Sequence, residues 1–257
     1  MSRNTIEGIC HICGEKKKLT FEHIPPRSTG NNHTVKLFSG ERLLKQIGSA
    51  IRFSLDDDIS DLKYQNMQRG SGFQTLCSDC NSYLGHYYVP QFIDFYSAVR
   101  SLVAQKQYSS KYRYIELTTD KLQPLAFFKQ IISNFCTINP AGTMEKCKNF
   151  LLNKANNDFP SNYRLYMSIN PNLGAKTVFA GWSTVILKNG RFYCISTISI
   201  PPLLFKLVDI KNSTTKQTRW NDITALSTIK WEEQPIVKFT LPLVTKEESA
   251  KALSVFL

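Results

Sequence analysis

The residues of this chain best suited to chemistry lie in three short segments. They are Cys10-His-Ile-Cys13, Glu22-His23-Ile24-Pro25-Pro26 and Cys77-Ser-Asp-Cys80-Asn81. Two C-x-x-C pairs supply four thiolates, enough to fill a tetrahedral zinc shell with no open position, as in a structural site. The oxygen ligands of Glu22 and Asn81 suit a harder ion such as Mg²⁺ or Mn²⁺. The imidazole of His23 beside them suits a general base, because a neutral histidine can take a proton from water near pH 7. A divalent cation in the same place can stabilise the charge that develops during phosphodiester hydrolysis. The three segments therefore read as two metal sites, one structural and one hydrolytic.

Local elements must position these groups. Cys10-x-x-Cys13-Gly14 reads as a tight knuckle, with Gly14 free to take a positive φ. Leu19–His23 alternates as a short strand, and Pro25-Pro26 ends it because proline cannot donate to a ladder. Adjacent strand residues point to opposite faces. Alternation alone thus separates Glu22 from His23, and either the Pro25-Pro26 bend or ligation through a distorted backbone must reconcile them. Asn81 onward reads as a helix, and Pro90 interrupts it or separates it from a second helix over Gln91–Gln107, with Phe92, Phe95, Val99, Leu102 and Val103 as an apolar stripe.

Two units are expected. Residues 1–89 form the metal module, with an insertion at 27–73. Within the insertion, Ser28–His33 is loop-like, Val35–Ile51 could hold a strand and a short helix, and Asp56-Asp57-Asp58 is an acidic run. Residues 90–257 form a mixed α+β domain with antiparallel strands. It has strands at Tyr112–Leu117, Leu203–Ile210 and Ile236–Leu241, and helices at Asp120–Ile138, Thr143–Asn156 and Lys246–Val255. The clearest hairpin joins Val178–Leu187 to Phe192–Ile200 through Lys188-Asn189-Gly190-Arg191, where Asn-Gly suits a type I′ turn. This second domain carries no catalytic motif. Substrate recognition, dimerisation and sensing all remain open for it, as does an activating partner.

At 257 residues, 42% hydrophobic and 20% charged, the composition is that of a globular protein with a real core. No apolar run approaches the ~18 residues of a spanning helix, and Met1–Glu7 lacks the apolar core of a secretory signal. We therefore expect a soluble cytoplasmic protein with no membrane association. In a reducing compartment paired C-x-x-C reads as metal binding before disulfide. The other three of the seven cysteines, Cys136, Cys147 and Cys194, are scattered, and Cys136 and Cys194 read as core residues. A net charge of +12 suits a polyanionic partner.

Taken together, C-x-x-C, Glu-His-Ile-x-Pro and Leu-Cys-x-x-Cys-Asn-x-x-x-Gly resemble the HNH endonucleases of the ββα-metal fold. The matching segments are Cys10–Pro26 and Thr75–Gly85. The resemblance implies a structural zinc on Cys10, Cys13, Cys77 and Cys80. It places an acidic metal ligand at Glu22, the water-activating base at His23 and a second metal ligand at Asn81. It also implies a nucleic-acid substrate, DNA before RNA, and a setting such as restriction or antiphage defence. Many relatives carry an Asn that braces the loop, and its matching place here is Gly72.

Cations near the module could contact phosphates. The candidates are Lys16, Lys17, Lys18 and Arg27. His86 is a further candidate, although it stands about 140° around the helix from Asn81. Tyr83, Tyr87 and Tyr88 could stack on bases but suit helix packing better. The alternative reading is a non-catalytic zinc module that binds nucleic acid or a partner protein, for which the four cysteines alone would suffice.

Overall fold

The computed structural model describes residues 6–39, 63–105, 113–186, 192–211 and 220–244. The chain is mixed α+β with antiparallel sheets and four α-helices among these residues. Its first sheet contains β1 (Ile6–Ile9), β2 (Lys16–His23) and β5 (Gly72–Cys77), in the order β1-β2-β5. Helix α1 (Ser78–Tyr87) follows β5 without a loop, and α2 (Val89–Ala104) follows α1 with Pro90 in its first turn. Proline is tolerated there because the first helical amides have no intrahelical acceptor. Between β2 and β5 a separate ribbon pairs β3 (Val35–Phe38) with β4 (Tyr64–Met67).

The second half is built around α3 (Pro124–Ile138), which is buried from Pro124 through Thr137. A helix enclosed on all sides must satisfy its polar groups internally. Lys129 does so by donating to the carbonyls of Asn153 and Lys154 at 2.7 and 3.0 Å, with its ammonium 4.5 Å from the Phe150 ring centre. Around α3 lie β6 (Tyr114–Thr119), the short α4 (Lys148–Leu152), β7 (Tyr163–Ile169), β8 (Val178–Ile186), β9 (Phe192–Ile200), β10 (Leu203–Asp209), β11 (Asn221–Asp222) and β12 (Val237–Pro242). One five-stranded sheet runs β11-β7-β10-β9-β8, and β12 pairs with β6.

The expected hairpin of β8 and β9 forms in antiparallel register, while its Asn-Gly turn lies outside the described residues. So do the acidic run at 56–58 and the expected C-terminal helix. The helix expected over Thr143–Asn156 is much shorter. A 3-10 turn at Glu145–Cys147 leads into α4, which stops at Leu152. Gly142 with φ +84 breaks the chain before it.

Pro90 marks a change of element and not a break in the core. One buried cluster runs from Cys10, Leu76 and Leu84 through Phe92 and Phe127 to Phe205 and Phe239. Polar contacts cross the same line. Tyr88 donates to the Leu151 carbonyl at 2.7 Å, and Tyr83 accepts from the Lys154 amide at 2.8 Å. The His11 ring donates to the Cys136 carbonyl at 3.0 Å. No described helix is long and apolar enough to cross a membrane.

Candidate functional site

The knuckle begins where β1 ends. Cys10 accepts from the Gly14 amide at 2.9 Å, and Gly14 takes φ +76, so the turn closes tightly. The second pair sits where β5 passes into α1, with Cys77 as the residue preceding the helix and Cys80 in its first turn. Antiparallel pairing of β2 with β5 places Leu19 opposite Cys77 and so brings the two pairs together. All four sulfurs lie within 4.8 Å of one another and all four residues are buried. Cys13 and Cys77 are 4.0 Å apart, sulfur to sulfur. Zinc–sulfur bonds of ~2.3 Å in a tetrahedron put sulfurs ~3.8 Å apart, so the cluster could hold a metal ion such as zinc. Its electrostatics favour one thiolate already. The Cys10 thiol is held below its ordinary range, first by the hydrogen bond from the Cys80 thiol, and it also accepts the Cys77 amide at 3.3 Å. Cys80 is pushed up by the same contact, and Cys13 by burial.

At the other end of β2 lies a cavity of about 210 Å³ lined by Phe21, Glu22, His23, Pro26, Arg27, Asn81 and Val89. It contains the whole expected trio. The alternation problem is resolved by position. The cavity sits where the strand ends, so side chains from both faces reach it as the chain turns through Ile24, Pro25 and Pro26. The register also shifts between Thr20 and Phe21, leaving Thr75 of β5 as an extra residue. Such a bulge increases local twist.

Glu22 is 8% exposed. Burial pushes its carboxyl up to about 7, and among the described residues it has no hydrogen-bond or ion-pair partner. A buried carboxylate lacking a partner is costly, and a cation would remove that cost.

His23 donates through Nε2 to the Arg69 carbonyl at 2.9 Å. A carbonyl can only accept, so the neutral ring keeps its lone pair on Nδ1. Burial depresses the imidazole's pKa, and the positive charges of Arg27 and Arg69 add to that. The bond to the Arg69 carbonyl partly opposes it.

Asn81 is oriented by the strand beside it. Its Nδ2 donates to Thr20 Oγ1 at 3.0 Å and to the Phe21 carbonyl at 3.4 Å. Thr20 in turn spends its own proton on the Leu76 carbonyl at 2.9 Å. Both Asn81 partners accept, so the amide orientation is forced and Oδ1 is the atom left for a ligand.

The turn after the two prolines is braced by one asparagine. Asn31 is buried and donates to the carbonyls of Pro25 and Ser71, both at 2.7 Å, while accepting the Ser71 amide at 2.7 Å. Gly72 cannot do this work. A Cβ there would collide with the Glu22 carbonyl opposite, and one at Gly70 (φ +92) would collide with the Asn31 backbone. Sequence reading passed over Asn31 and Thr20 because both act on backbone carbonyls, whose positions no side-chain pattern encodes. The only local hint was an Asn-Asn in a loop after two prolines.

The remaining expected residues scatter. Arg27 is exposed and lines the cavity, where a phosphate oxygen could meet it. Lys17 is taken up by ion pairs with Glu15 at 2.9 Å and Asp79 at 3.1 Å. Lys16 and Lys18 are exposed on the knuckle end of β2. At ~3.3 Å per residue that end is roughly 20 Å from His23. His86 is exposed, packs edge-on to Tyr87 at 4.6 Å and does not line the cavity. Tyr88 is buried in the core at the junction of α1 and α2, and Tyr83 packs against that core from α1.

Comparison with protein-family profiles, curated proteins and solved structures finds no match.

Proposed function

We propose that this protein is a metal-dependent HNH-type endonuclease that hydrolyses phosphodiester bonds, with DNA preferred over RNA. The observation that carries the reading is that Glu22, His23 and Asn81 line one cavity together with Arg27. Four cysteines would make a scaffold without any of them. The order β2, β5, α1, with a thiol cluster at one end and the trio at the other, agrees with a ββα-metal module.

His23 takes the proton from water through Nδ1, since Nε2 is held by Arg69. Its depressed pKa keeps the ring neutral at pH 7 and ready to act. Arg27 is placed to bind a phosphate oxygen. Glu22 and the Asn81 Oδ1 would hold Mg²⁺ or Mn²⁺, a donor set of hard oxygens that fits such an ion. When bound, the ion supplies positive charge for the transition state and the leaving oxygen. Thr20 and Asn31 position these groups without touching substrate. The four thiols hold zinc structurally, which a reducing cytoplasm permits.

The test is cleavage of supercoiled plasmid by the purified, zinc-loaded chain. Nicked or linear product should form with Mg²⁺ or Mn²⁺ and be absent without either ion. Intact DNA and RNA under every cation would overturn the reading.

A further inference from the structure

The ribbon of β3 and β4 has no buried residue in either strand. A two-stranded ribbon exposed on both faces is only marginally stable in water, and burial against the described residues does not explain it. Its register sorts the side chains sharply. Lys36 stands opposite Asn66 and Phe38 opposite Tyr64, which puts all four on one face. There Lys36 Nζ lies 4.2 Å from the centre of the Tyr64 ring, and the Phe38 and Tyr64 rings are 5.7 Å apart. Tyr64 is 43% exposed, and Lys36 and Asn66 are exposed as well. Val35, Leu37, Gln65 and Met67 occupy the opposite face.

This ribbon is anchored at the cavity. One stem passes through Asn31, and the other through Arg69 and Ser71, the residues that hold His23 and Asn31. Within 27–39 and 63–72 the cations are Arg27, Lys36, Lys63 and Arg69, with no Asp or Glu. A cationic, aromatic and amide-bearing face with no acid complements a polyanion with readable bases.

We infer that the ribbon is a duplex-DNA-binding element, entering a groove with its Lys36, Phe38, Tyr64 and Asn66 face beside the scissile phosphate. The inference rests on the nuclease reading and adds the form of the substrate. A protruding two-stranded ribbon fits the major groove, ~12 Å wide, whereas single strands are bound along grooves and stacking platforms. The asparagine amide can pair with an adenine edge, and the lysine with phosphate or guanine. The chain from Arg69 back to Met67 and Tyr64 spans roughly 7 to 17 Å at ~3.4 Å per residue. With base pairs stacked ~3.4 Å apart, contacts should fall about two to five base pairs from the cut.

The test uses the full, zinc-loaded chain carrying His23→Ala, so that binding is read without cleavage. The probes are a short fluorescein-labelled DNA duplex and its single strand, read by anisotropy. Adding Lys36→Glu with Tyr64→Ala should raise the duplex Kd about tenfold or more and lower the salt-dependence slope by about one. Leu37→Ser, on the opposite face, should leave the duplex Kd unchanged. Zinc content and melting temperature should hold in all variants, since none of the three side chains is buried. An unchanged Kd in the double variant, an equal loss from Leu37→Ser, or tighter binding of the single strand would overturn the inference. If His23-intact protein leaves duplex uncut while the double variant weakens binding, the nuclease reading fails and the ribbon assignment stands. Cleavage with unaltered KM when the two ribbon substitutions are placed in His23-intact protein sinks the ribbon assignment alone.

Discussion

The Asn31 side chain and the Ser71 backbone are joined twice, Nδ2 donating to the carbonyl and Oδ1 accepting the amide, both at 2.7 Å. A third bond from the same amide reaches the Pro25 carbonyl. Residues far apart in sequence are thereby bolted to the turn that follows His23. Asn31→Ala should orphan three backbone groups and cost on the order of 3 kcal/mol. Asn31→Asp should fail almost as badly, because two carbonyls need donors. Urea unfolding measures the first effect. A plasmid-cleavage rate falling more than the fraction unfolded measures the second, the loss of cavity geometry.

Thr20 gives a milder prediction. Its hydroxyl relays between the Leu76 carbonyl and Asn81 Nδ2. Thr20→Val keeps the shape and removes the relay, at about 1 kcal/mol. The Asn81 amide then keeps only its longer bond to the Phe21 carbonyl and is held less firmly. The Mg²⁺ concentration for half-maximal cleavage should rise roughly tenfold, with zinc content unchanged. A Mg²⁺ titration indistinguishable from wild type would show that Thr20 does not orient Asn81.

Glu22 makes stability depend on pH in an unusual direction. Its carboxyl is raised from 4.5 to about 7 by burial, so between those values the folded protein holds a proton that the unfolded chain has released. Stability is therefore greatest below about 4.5 as far as this group is concerned. It declines as pH rises to about 7 and is flat above that. The loss amounts to on the order of 3 kcal/mol at ~1.4 kcal/mol per pH unit. Glu22→Gln should remove this decline, making the Mg²⁺-free protein more stable than wild type at pH 8. Denaturant melts of the two proteins at pH 5 and pH 8 check it, and equal slopes with pH would refute it.

The thiol cluster predicts a collapse. Cys77 both contributes a sulfur and precedes α1, and its amide bonds Cys10. Cys77→Ser should lower bound zinc below one per chain and depress the melting temperature sharply, because metal binding contributes folding energy. Because one core joins the knuckle to α3, the second half should lose stability too. Unchanged zinc content and melting in this variant would remove the four-cysteine site from the account.

What could be read from the sequence follows from how far each signal travels along the chain. The four cysteines were legible because residue type and the C-x-x-C spacing specify a ligand set wherever the fold brings the pairs together. The hairpin of β8 and β9 and the apolar stripe of α2 were legible for the same reason, since their periodicity is local. The convergence of Glu22 with His23 was not, because alternation describes a strand's middle and these residues sit at its end. The bracing by Asn31 was not legible either, because its partners are backbone groups of Pro25 and Ser71. The close approach of Gly72 to the Glu22 carbonyl exists only once β2 and β5 are paired. The expected division at Pro90 also failed to foresee that Tyr83 and Tyr88 would hydrogen-bond the α4 region. Proline at a helix start and proline at a linker look alike in sequence.

The most direct test of the central claim is the Mg²⁺-dependent cleavage rate of duplex DNA by zinc-loaded wild type against His23→Ala at neutral pH. A general base that acts through Nδ1 predicts a fall of roughly 10²–10⁴-fold in the variant, with zinc content and melting temperature retained. Equal rates in the two proteins would contradict it.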